Sequence, residues 1–315
     1  MTLEPEMHAF IERTEALMPS AAGDVTLAEQ RARYDAMCTA FNPPRPAGMT
    51  VEHFTLEGPQ GQTIPVRVYD PGPARSDGAL LYLHGGGFIL GGLDSHDIVT
   101  ARLAADVPVK VCVVDYRLAP EHRFPAAFDD CLAALRALQT TPHRFGLVSP
   151  NIVLAGDSAG ANLAVAVSIA NRTWGGPPIA GQILFYGAFG AGPDLPSYVE
   201  EAEAPLLKAS DVGAYQDHYL GADQAPDWRS KPILGPLDGL PPTLMLPVEH
   251  DPLRDESYAL HQALQEAGTL SRLELGEGLV HGCLRALGTS PATQRMVESA
   301  VMEARRRLQG EGGSD

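Results

Sequence analysis

Short apolar runs recur through the middle of the chain, separated by longer stretches in which polar and apolar positions mix. The runs are ALLYL, VKVCVV, NIVLA, QILFY and TLMLPV, at residues 79–83, 109–114, 151–155, 182–186 and 243–248. Because nearly every position in them is apolar, they are typical of parallel strands that are covered on both faces. Helical patterns lie between them, notably at 124–138 and 159–172. The alternation predicts an α/β fold with a mostly parallel central sheet and flanking helices.

The first part of the chain has a different pattern. Apolar residues at helical spacing begin at Met7. Thr26 followed by Glu29 three residues later is typical of a capping box that opens a second helix. The proline-rich run NPPRP at 42–46 stops that helix. We therefore expect two helices outside the sheet within residues 1–48.

We predict that residues 49–309 form one main domain. It begins with two antiparallel strands, at 51–56 and 64–69. Acidic helical sequence interrupts the strand-and-helix alternation at about 189–230, which predicts an inserted lid. An amphipathic helix ends the domain, and we expect a flexible tail at 310–315.

Composition and charge narrow the functional classes. Lysine and arginine total 23 against 39 aspartates and glutamates, a net charge of −16, which disfavours nucleic acid as a partner. No apolar run reaches the roughly 18 residues of a membrane span, and the first residues do not have a signal-peptide pattern. The four cysteines show no C-x-x-C spacing, so we expect free thiols, no metal site and a cytoplasmic protein.

Ser158 is the first candidate for chemistry. It lies in GDSAG at 156–160, between an apolar strand pattern and a small-residue helical pattern. A serine on such a tight strand-to-helix turn has an exposed hydroxyl, and the following N–H points to the same place, as in the nucleophile elbow G-x-S-x-G. The other interpretation is an ordinary glycine-rich turn in which Ser158 caps a helix.

Three glycines follow His84 at the end of an earlier strand pattern, in LYLHGGGF. Successive glycines let backbone N–H groups turn inward, which suits an oxyanion hole. A phosphate-binding nest is the alternative, but no G-x-G-x-x-G or Walker lysine follows. We expect His84 to support this glycine loop rather than to act as a general base.

Two later loops supply an acid and a base. VEHDPLRDES contains Asp251 at the end of a strand pattern, and GLVHGCLRA contains His281. The order Ser158, Asp251, His281 is the order of the catalytic residues in α/β-hydrolases. Asp255 is a second acid in the first loop, but it lies after a proline, where we expect the first turn of a helix.

Together these motifs resemble those of the hormone-sensitive-lipase family of α/β-hydrolases, in its bacterial esterase branch. The matching pieces are HGGG at 84–87, DYRLAPEHRFPAA at 115–127, GDSAG, DPLRDE and VHG. The resemblance implies an α/β-hydrolase fold with a helical cap, made from the N-terminal helices and the insertion.

The resemblance also implies the chemistry. Ser158 would be the nucleophile, His281 the base and Asp251 the acid that orients it. The oxyanion hole would be formed by the N–H groups of Gly85, Gly86 and Ala159. It implies hydrolysis of short- to medium-chain acyl esters without a cofactor or metal, by a cytoplasmic protein, and it suggests a homodimer.

The sequence leaves open the roles of two positions and two alternatives to an esterase function. Tyr186-Gly187 stands where relatives often have Tyr-Pro, at the point where the chain leaves the core for the cap, so the pocket wall is in question. Cys283 is either a reactive thiol or a pocket or core residue, and we expect one of the latter two. The alternatives to an esterase are a hydrolase-fold protein that binds a small ligand without catalysis, and a long-chain lipase or amidase.

Overall fold

Ten strands form two sheets in the computed structural model, which describes residues 2–19, 25–73, 78–221 and 225–309. The strands are β1 (Thr50–Glu57), β2 (Thr63–Asp70), β3 (Ala79–Leu83), β4 (Lys110–Val114), β5 (Ile152–Asp157), β6 (Gly181–Phe185), β7 (Thr243–Leu246), β8 (Val248–His250), β9 (Ser271–Leu273) and β10 (Gly276–Val280). Eight of them form the main sheet, in the order β1-β2-β4-β3-β5-β6-β7-β9, while β8 and β10 form a small sheet of their own.

Nine α-helices connect and cover these strands within the described residues. They are α1 (Pro5–Leu17), α2 (Leu27–Phe41), α3 (Asp97–Asp106), α4 (Ala126–Thr140), α5 (Ala159–Thr173), α6 (Ser197–Glu200), α7 (Ala209–Leu220), α8 (Arg254–Glu266) and α9 (Pro291–Gln309). Short 3₁₀ turns lie at Pro142–Phe145, Pro232–Leu234 and Cys283–Ala286.

The predicted antiparallel start is confirmed. β2 pairs antiparallel with both of its neighbours, β1 and β4, and the register sets Val51 opposite Tyr69. All the other pairs of the main sheet are parallel. The five apolar runs each became a parallel strand, and the last run divides at Pro247 into β7 and β8.

The core has two layers, one on each face of the main sheet. In β3, Leu81 and Leu83 face the layer that contains α4, α5 and α8. Leu80 and Tyr82 face the layer that contains α1, α3 and α9. Burial of both faces explains why this strand is apolar at every position.

The first helix, α1, packs on the core. Met7 and Phe10 of α1 are buried in the layer that contains α9 and the residues around His281. The carboxylate of Glu4 accepts the Ala292 N–H at 2.7 Å, and its backbone N–H donates to Gly278 O at 3.0 Å. The Thr26–Glu29 capping box of α2 is present. The apolar face of α1 lies against β10 and the 3₁₀ turn Cys283–Ala286.

The predicted insertion at 189–230 contains α6 and α7. Its residues 222–224 lie outside the described residues. The predicted tail at 310–315 also lies outside them. None of the described helices is both long and apolar enough to cross a membrane. The four cysteines are buried and free.

Candidate active site

Ser158 lies in the turn between β5 and α5, with φ +51° and ψ −118°. A positive φ is rare for a residue with a side chain, and such strain is typical of functional turns. The flanking glycines are required sterically. A Cβ on Gly160 would lie 1.9 Å from Leu83 O, and one on Gly156 would lie 2.6 Å from the backbone of Gly160. The turn has the strand–turn–helix geometry expected from the sequence.

Pairing of β8 with β10 brings Asp251 and His281 together. The two strands are parallel, and Val280 is opposite His250. Each strand ends there, so the next residues, Asp251 and His281, leave the small sheet side by side. The Asp251 side chain is fully buried, and its Oδ1 accepts the Leu253 N–H at 2.8 Å.

A chain of hydrogen bonds joins the three predicted residues. His281 Nδ1 is 2.8 Å from Asp251 Oδ2, and His281 Nε2 is 3.0 Å from Ser158 Oγ. A carboxylate only accepts, so Nδ1 carries the proton, and Nε2 is left to accept the serine O–H. The Tyr186 ring packs beside the imidazole, with centroids 4.8 Å apart.

The glycine loop lies near the serine, but in a register that differs from the predicted one. The Gly85 N–H donates to the buried carboxylate of Asp157 at 3.0 Å, so it is not free to bind an oxyanion. Gly86 and Gly87 line the cavity above Ser158, and Gly85 does not. Within the described chain, the N–H groups of Gly86, Gly87 and Ala159 have no protein acceptor. The assignment of Gly85 is therefore corrected.

His84 supports this loop, as expected. Its side chain is fully buried, and the ring stacks on Tyr116 with centroids 4.2 Å apart. Nδ1 is 2.8 Å from Gly85 O, which assigns the proton to that nitrogen. Burial, with a smaller contribution from the charge of His96, lowers the pKa of His84 to about 3. A histidine that stays neutral in this way and does not reach the serine is not the base.

Asp157, which precedes Ser158 in the chain, holds the glycine loop. Burial alone would raise the pKa of its carboxyl group. His96, the Tyr82 hydroxyl and the Gly85 N–H outweigh that effect and lower the pKa to about 2. Tyr82 donates to Oδ1 at 2.8 Å, and His96 Nε2 lies 3.2 Å from Oδ2. The carboxylate thus joins the glycine loop to the elbow.

Ser158 and His281 lie on the wall of a cavity of about 120 Å³. Much of the remaining wall is apolar and includes Phe88, Leu90, Leu207, Val212, Tyr219 and Leu220. Tyr34 of α2 and Tyr215 of α7 line both this cavity and a larger groove beside it. Two cations that the sequence did not single out, Lys231 and Arg285, also line the cavity.

Comparison with known proteins identifies the family. A profile described as the alpha/beta hydrolase fold matches residues 80–285. Carboxylesterase NlhH of Mycobacterium tuberculosis is 38% identical over 267 residues, which cover 82% of this chain and 83% of that protein. This chain belongs to the hormone-sensitive-lipase family of α/β-hydrolases. The sheet and the elbow confirm the fold predicted from the sequence.

Two further esterases are similar to this chain over nearly its whole length. Ethyl acetate hydrolase of Pseudomonas putida is 33% identical over 300 residues, which cover 90% of this chain and 93% of that protein. The crystal structure of a hyperthermophilic esterase from the archaeon Pyrobaculum calidifontis has a TM-score of 0.90 and 30% identity, covering 97% of this chain and 98% of that one.

Gly187, the departure from the usual Tyr-Pro pair of this family, has a steric reason. A Cβ there would lie 2.3 Å from the Phe189 ring and 2.8 Å from the Ala161 Cβ. Phe189 is fully buried and fills the space beside α5. Glycine in place of proline at position 187 therefore alters the packing of the core at the start of the insertion.

Asp255 and Glu256, in the first turn of α8, anchor the insertion. Asp255 Oδ2 accepts the Ser197 N–H at 2.9 Å. Glu256 is 1% exposed and accepts the N–H groups of Phe189 at 3.0 Å and Ala191 at 2.9 Å. Asp255 is thus at a helix start, as predicted, and away from His281. The role of Glu256 was missed, because these two N–H groups are more than 60 residues earlier in the chain.

Cys283 is a core residue. It is fully buried in the layer that contains α9, and burial raises its pKa well above the ordinary value for a thiol. The reactive form of cysteine is the thiolate, which such an environment disfavours.

Proposed function

We propose that this protein is a serine carboxylesterase in which Ser158 is the nucleophile, His281 the general base and Asp251 the residue that orients the imidazole. One observation carries the proposal: hydrogen bonds of 2.8 and 3.0 Å join the buried carboxylate, the imidazole and a strained serine at the wall of an apolar cavity. Relatives named as a carboxylesterase and an ethyl acetate hydrolase support the same reaction class.

Acylation follows from this geometry. Ser158 Oγ attacks the ester carbonyl carbon while His281 Nε2 takes the serine proton. Asp251 keeps the proton on Nδ1 and stabilises the imidazolium that forms. The imidazolium then gives its proton to the leaving alkoxide, so the alcohol departs and an acyl-serine remains. Water repeats these steps with the acyl-serine and releases the acid.

The oxyanion of each tetrahedral intermediate would be bound by the N–H groups of Gly86, Gly87 and Ala159. These three residues line the cavity, and no protein acceptor competes for their N–H groups within the described residues. Fixed donors of this kind typically contribute about 3–4 kcal/mol each to transition-state stabilisation. None of these steps calls for a metal or an organic cofactor.

Short- to medium-chain acyl esters fit the cavity best. An apolar cavity of about 150 Å³ takes benzene. A cavity of about 120 Å³ is therefore suited to an acyl chain of a few carbons. We expect activity from about C2 to C8 that falls steeply beyond, because longer chains would have to enter the adjoining groove.

Residues 1–48 and about 189–230 would act together as the cap. Tyr34 from α2 and Tyr215 from α7 both line the cavity, so both segments restrict its size. A cap of this kind also limits access of water to the oxyanion. Homodimer formation and a cytoplasmic location stay predictions.

Labelling of the nucleophile tests the proposal. A 4-nitrophenyl phosphonate should attach to Ser158 alone, as located by peptide mass spectrometry, and abolish hydrolysis of 4-nitrophenyl butyrate. Ser158→Ala should fold, resist labelling and lose about 10⁶-fold in kcat, as removal of a triad serine does elsewhere. Ser210→Ala, on the exposed side of α7, is the matched control and should behave as wild type. Labelling of Cys283 or of another serine, with activity lost in parallel, would overturn the assignment.

A further inference from the structure

Arg285 is a cation on the cavity wall that has no anionic partner among the described residues. It lies in the 3₁₀ turn Cys283–Ala286, and its guanidinium packs against Gly282, where an added Cβ would be 2.6 Å from Nη2. Its Nε is buried and makes no hydrogen bond. Within the described chain the whole guanidinium forms neither an ion pair nor a hydrogen bond. It only approaches two rings, with Cζ 5.9 Å from the Phe10 centroid and 6.0 Å from the Tyr34 centroid.

The charge balance around Arg285 is positive, although the whole chain carries −16. Lys231 is a second cation on the wall, and it too has no ion-pair partner among the described residues. Asp157 is the one described carboxylate that lines the cavity, and its oxygens already bind Tyr82, Gly85 and His96.

Two more carboxylates, Glu15 and Asp211, line the adjoining groove together with Arg285. Neither forms an ion pair with it. Asp211 instead accepts the N–H of Lys208 at the start of α7, at 2.9 Å. The guanidinium is therefore left for a group that enters the cavity.

Arg285 is half-buried, and its Nε, which has lost its water, has no acceptor in its place, which is unfavourable. Charged groups in such places are normally paired. The planar fork of an arginine matches a carboxylate, with which it can form two parallel hydrogen bonds. A substrate that brings its own carboxylate would supply the missing partner.

We propose that Arg285 binds a carboxylate of the substrate, so that the preferred substrates are short esters that carry an ionised carboxyl group. The inference rests on the proposed function, since it concerns the specificity of the same cavity. Two kinds of ester have this chemistry: a monoester of a short dicarboxylic acid, with the charge on the acyl part, and an acylated hydroxy acid, with the charge on the alcohol part.

The alcohol side is nearer to Arg285. His281 gives its proton to the leaving alcohol oxygen, so the alcohol part lies beside the imidazole during the reaction. The guanidinium packs on Gly282, the next residue of the same loop. A carboxylate a few bonds beyond the alcohol oxygen would therefore meet Arg285 without leaving the cavity.

Matched pairs of esters test the inference at pH 8 by proton release. Monoethyl succinate is compared with its neutral isostere ethyl 4-oxopentanoate, and O-acetyl-lactate with O-acetyl-lactamide. The quantity measured is the ratio of kcat/KM for the charged ester to that for the neutral one. Both values come from the same preparation, so the ratio does not depend on how much of a variant is folded.

For Arg285→Met, we expect at least one ratio to fall by about 10- to 100-fold, the effect of losing a charge-assisted hydrogen-bonded pair. O-acetyl-lactate should show the larger fall. Arg285→Lys should lie between wild type and Arg285→Met, because it keeps the charge but not the fork. Arg295→Met removes the same charge from the exposed side of α9 and should leave both ratios unchanged.

Unchanged ratios in Arg285→Met, with Ser158 still labelled by the phosphonate, would overturn the inference and leave the esterase proposal intact. Absence of labelling and of hydrolysis of every ester by the wild-type protein would instead refute the proposed function.

Discussion

Protonation of His84 should set a limit to the stability of this enzyme in acid. The imidazole is fully buried, and its environment lowers its pKa to about 3. The groups that face it are His96, Asp157 and the ring of Tyr116. Between pH 6.5 and about 3, the unfolded chain binds a proton at this position and the folded chain does not. The free energy of unfolding therefore falls as the pH falls through this window, and above it His84 makes no such contribution.

The size of the effect follows from the two pKa values. Each pH unit between 6.5 and about 3 changes the free energy of unfolding by about 1.4 kcal/mol. The full window therefore corresponds to about 5 kcal/mol. At pH 5 the loss from His84 should be about 2 kcal/mol. That is a substantial part of the roughly 5–15 kcal/mol by which a typical protein is stable. The loop that carries Gly86 and Gly87 starts at this residue, so activity should be lost with the fold.

His84→Asn isolates the contribution of this residue. The Asn amide can donate to Gly85 O as Nδ1 does, but it does not titrate. Unfolding in urea, followed by circular dichroism at pH 7.5, 6 and 5, gives the free energy at each pH. The variant should be less stable at pH 7.5, but between pH 7.5 and 5 it should lose about 2 kcal/mol less than wild type. Equal losses in the two proteins would refute the assignment of His84 as a neutral buried group.

Two further predictions concern the two aspartates of the loop before α8 and of its first turn, and the size of the cavity. Asp251→Asn should lower kcat by about 10⁴-fold, as loss of the orienting carboxylate does elsewhere. Asp255→Asn should mainly lower the Tm, because that carboxylate holds the Ser197 N–H; the reverse ranking in folded variants would mean that the wrong aspartate is assigned. Tyr34→Ala should raise the rate on decanoyl relative to butyryl 4-nitrophenyl esters, since the ring from α2 borders both the cavity and the groove. Tyr258→Ala, at an exposed position of α8, is the control, and an unchanged chain-length profile for Tyr34→Ala would show that α2 does not limit the acyl chain.

Much of the fold was predictable because burial on both faces makes a strand apolar throughout. β3, β4, β5, β6 and β7 all arise from such runs, and the packing of β3 against two core layers shows the cause. β10 was not predicted. Its sequence, GEGLV, has two glycines and a glutamate, so its strand form depends on pairing with β8 rather than on local preference.

The candidate site was predictable where a local motif carries the geometry. Ser158 needs small neighbours on both sides, and GDSAG shows this within five residues. Arg285 and Glu256 have no such signature. The significance of Arg285 lies in the absence of a partner, and that of Glu256 in N–H groups on a distant segment. Both depend on how remote parts of the chain pack.

The register of the oxyanion loop shows the same limit at the scale of one residue. Three glycines in HGGG are equally able to turn an N–H inward, so the motif alone does not say which of them do so. The choice is made by Asp157, 72 residues after Gly85, because its buried carboxylate takes the N–H of that first glycine. The loop then turns at Gly86, with φ +119°. Gly86 and Gly87 line the cavity, and their N–H groups have no protein acceptor among the described residues. Asp157, the residue before the proposed nucleophile, thus fixes the position of the glycine loop whose N–H groups we propose to bind the oxyanion.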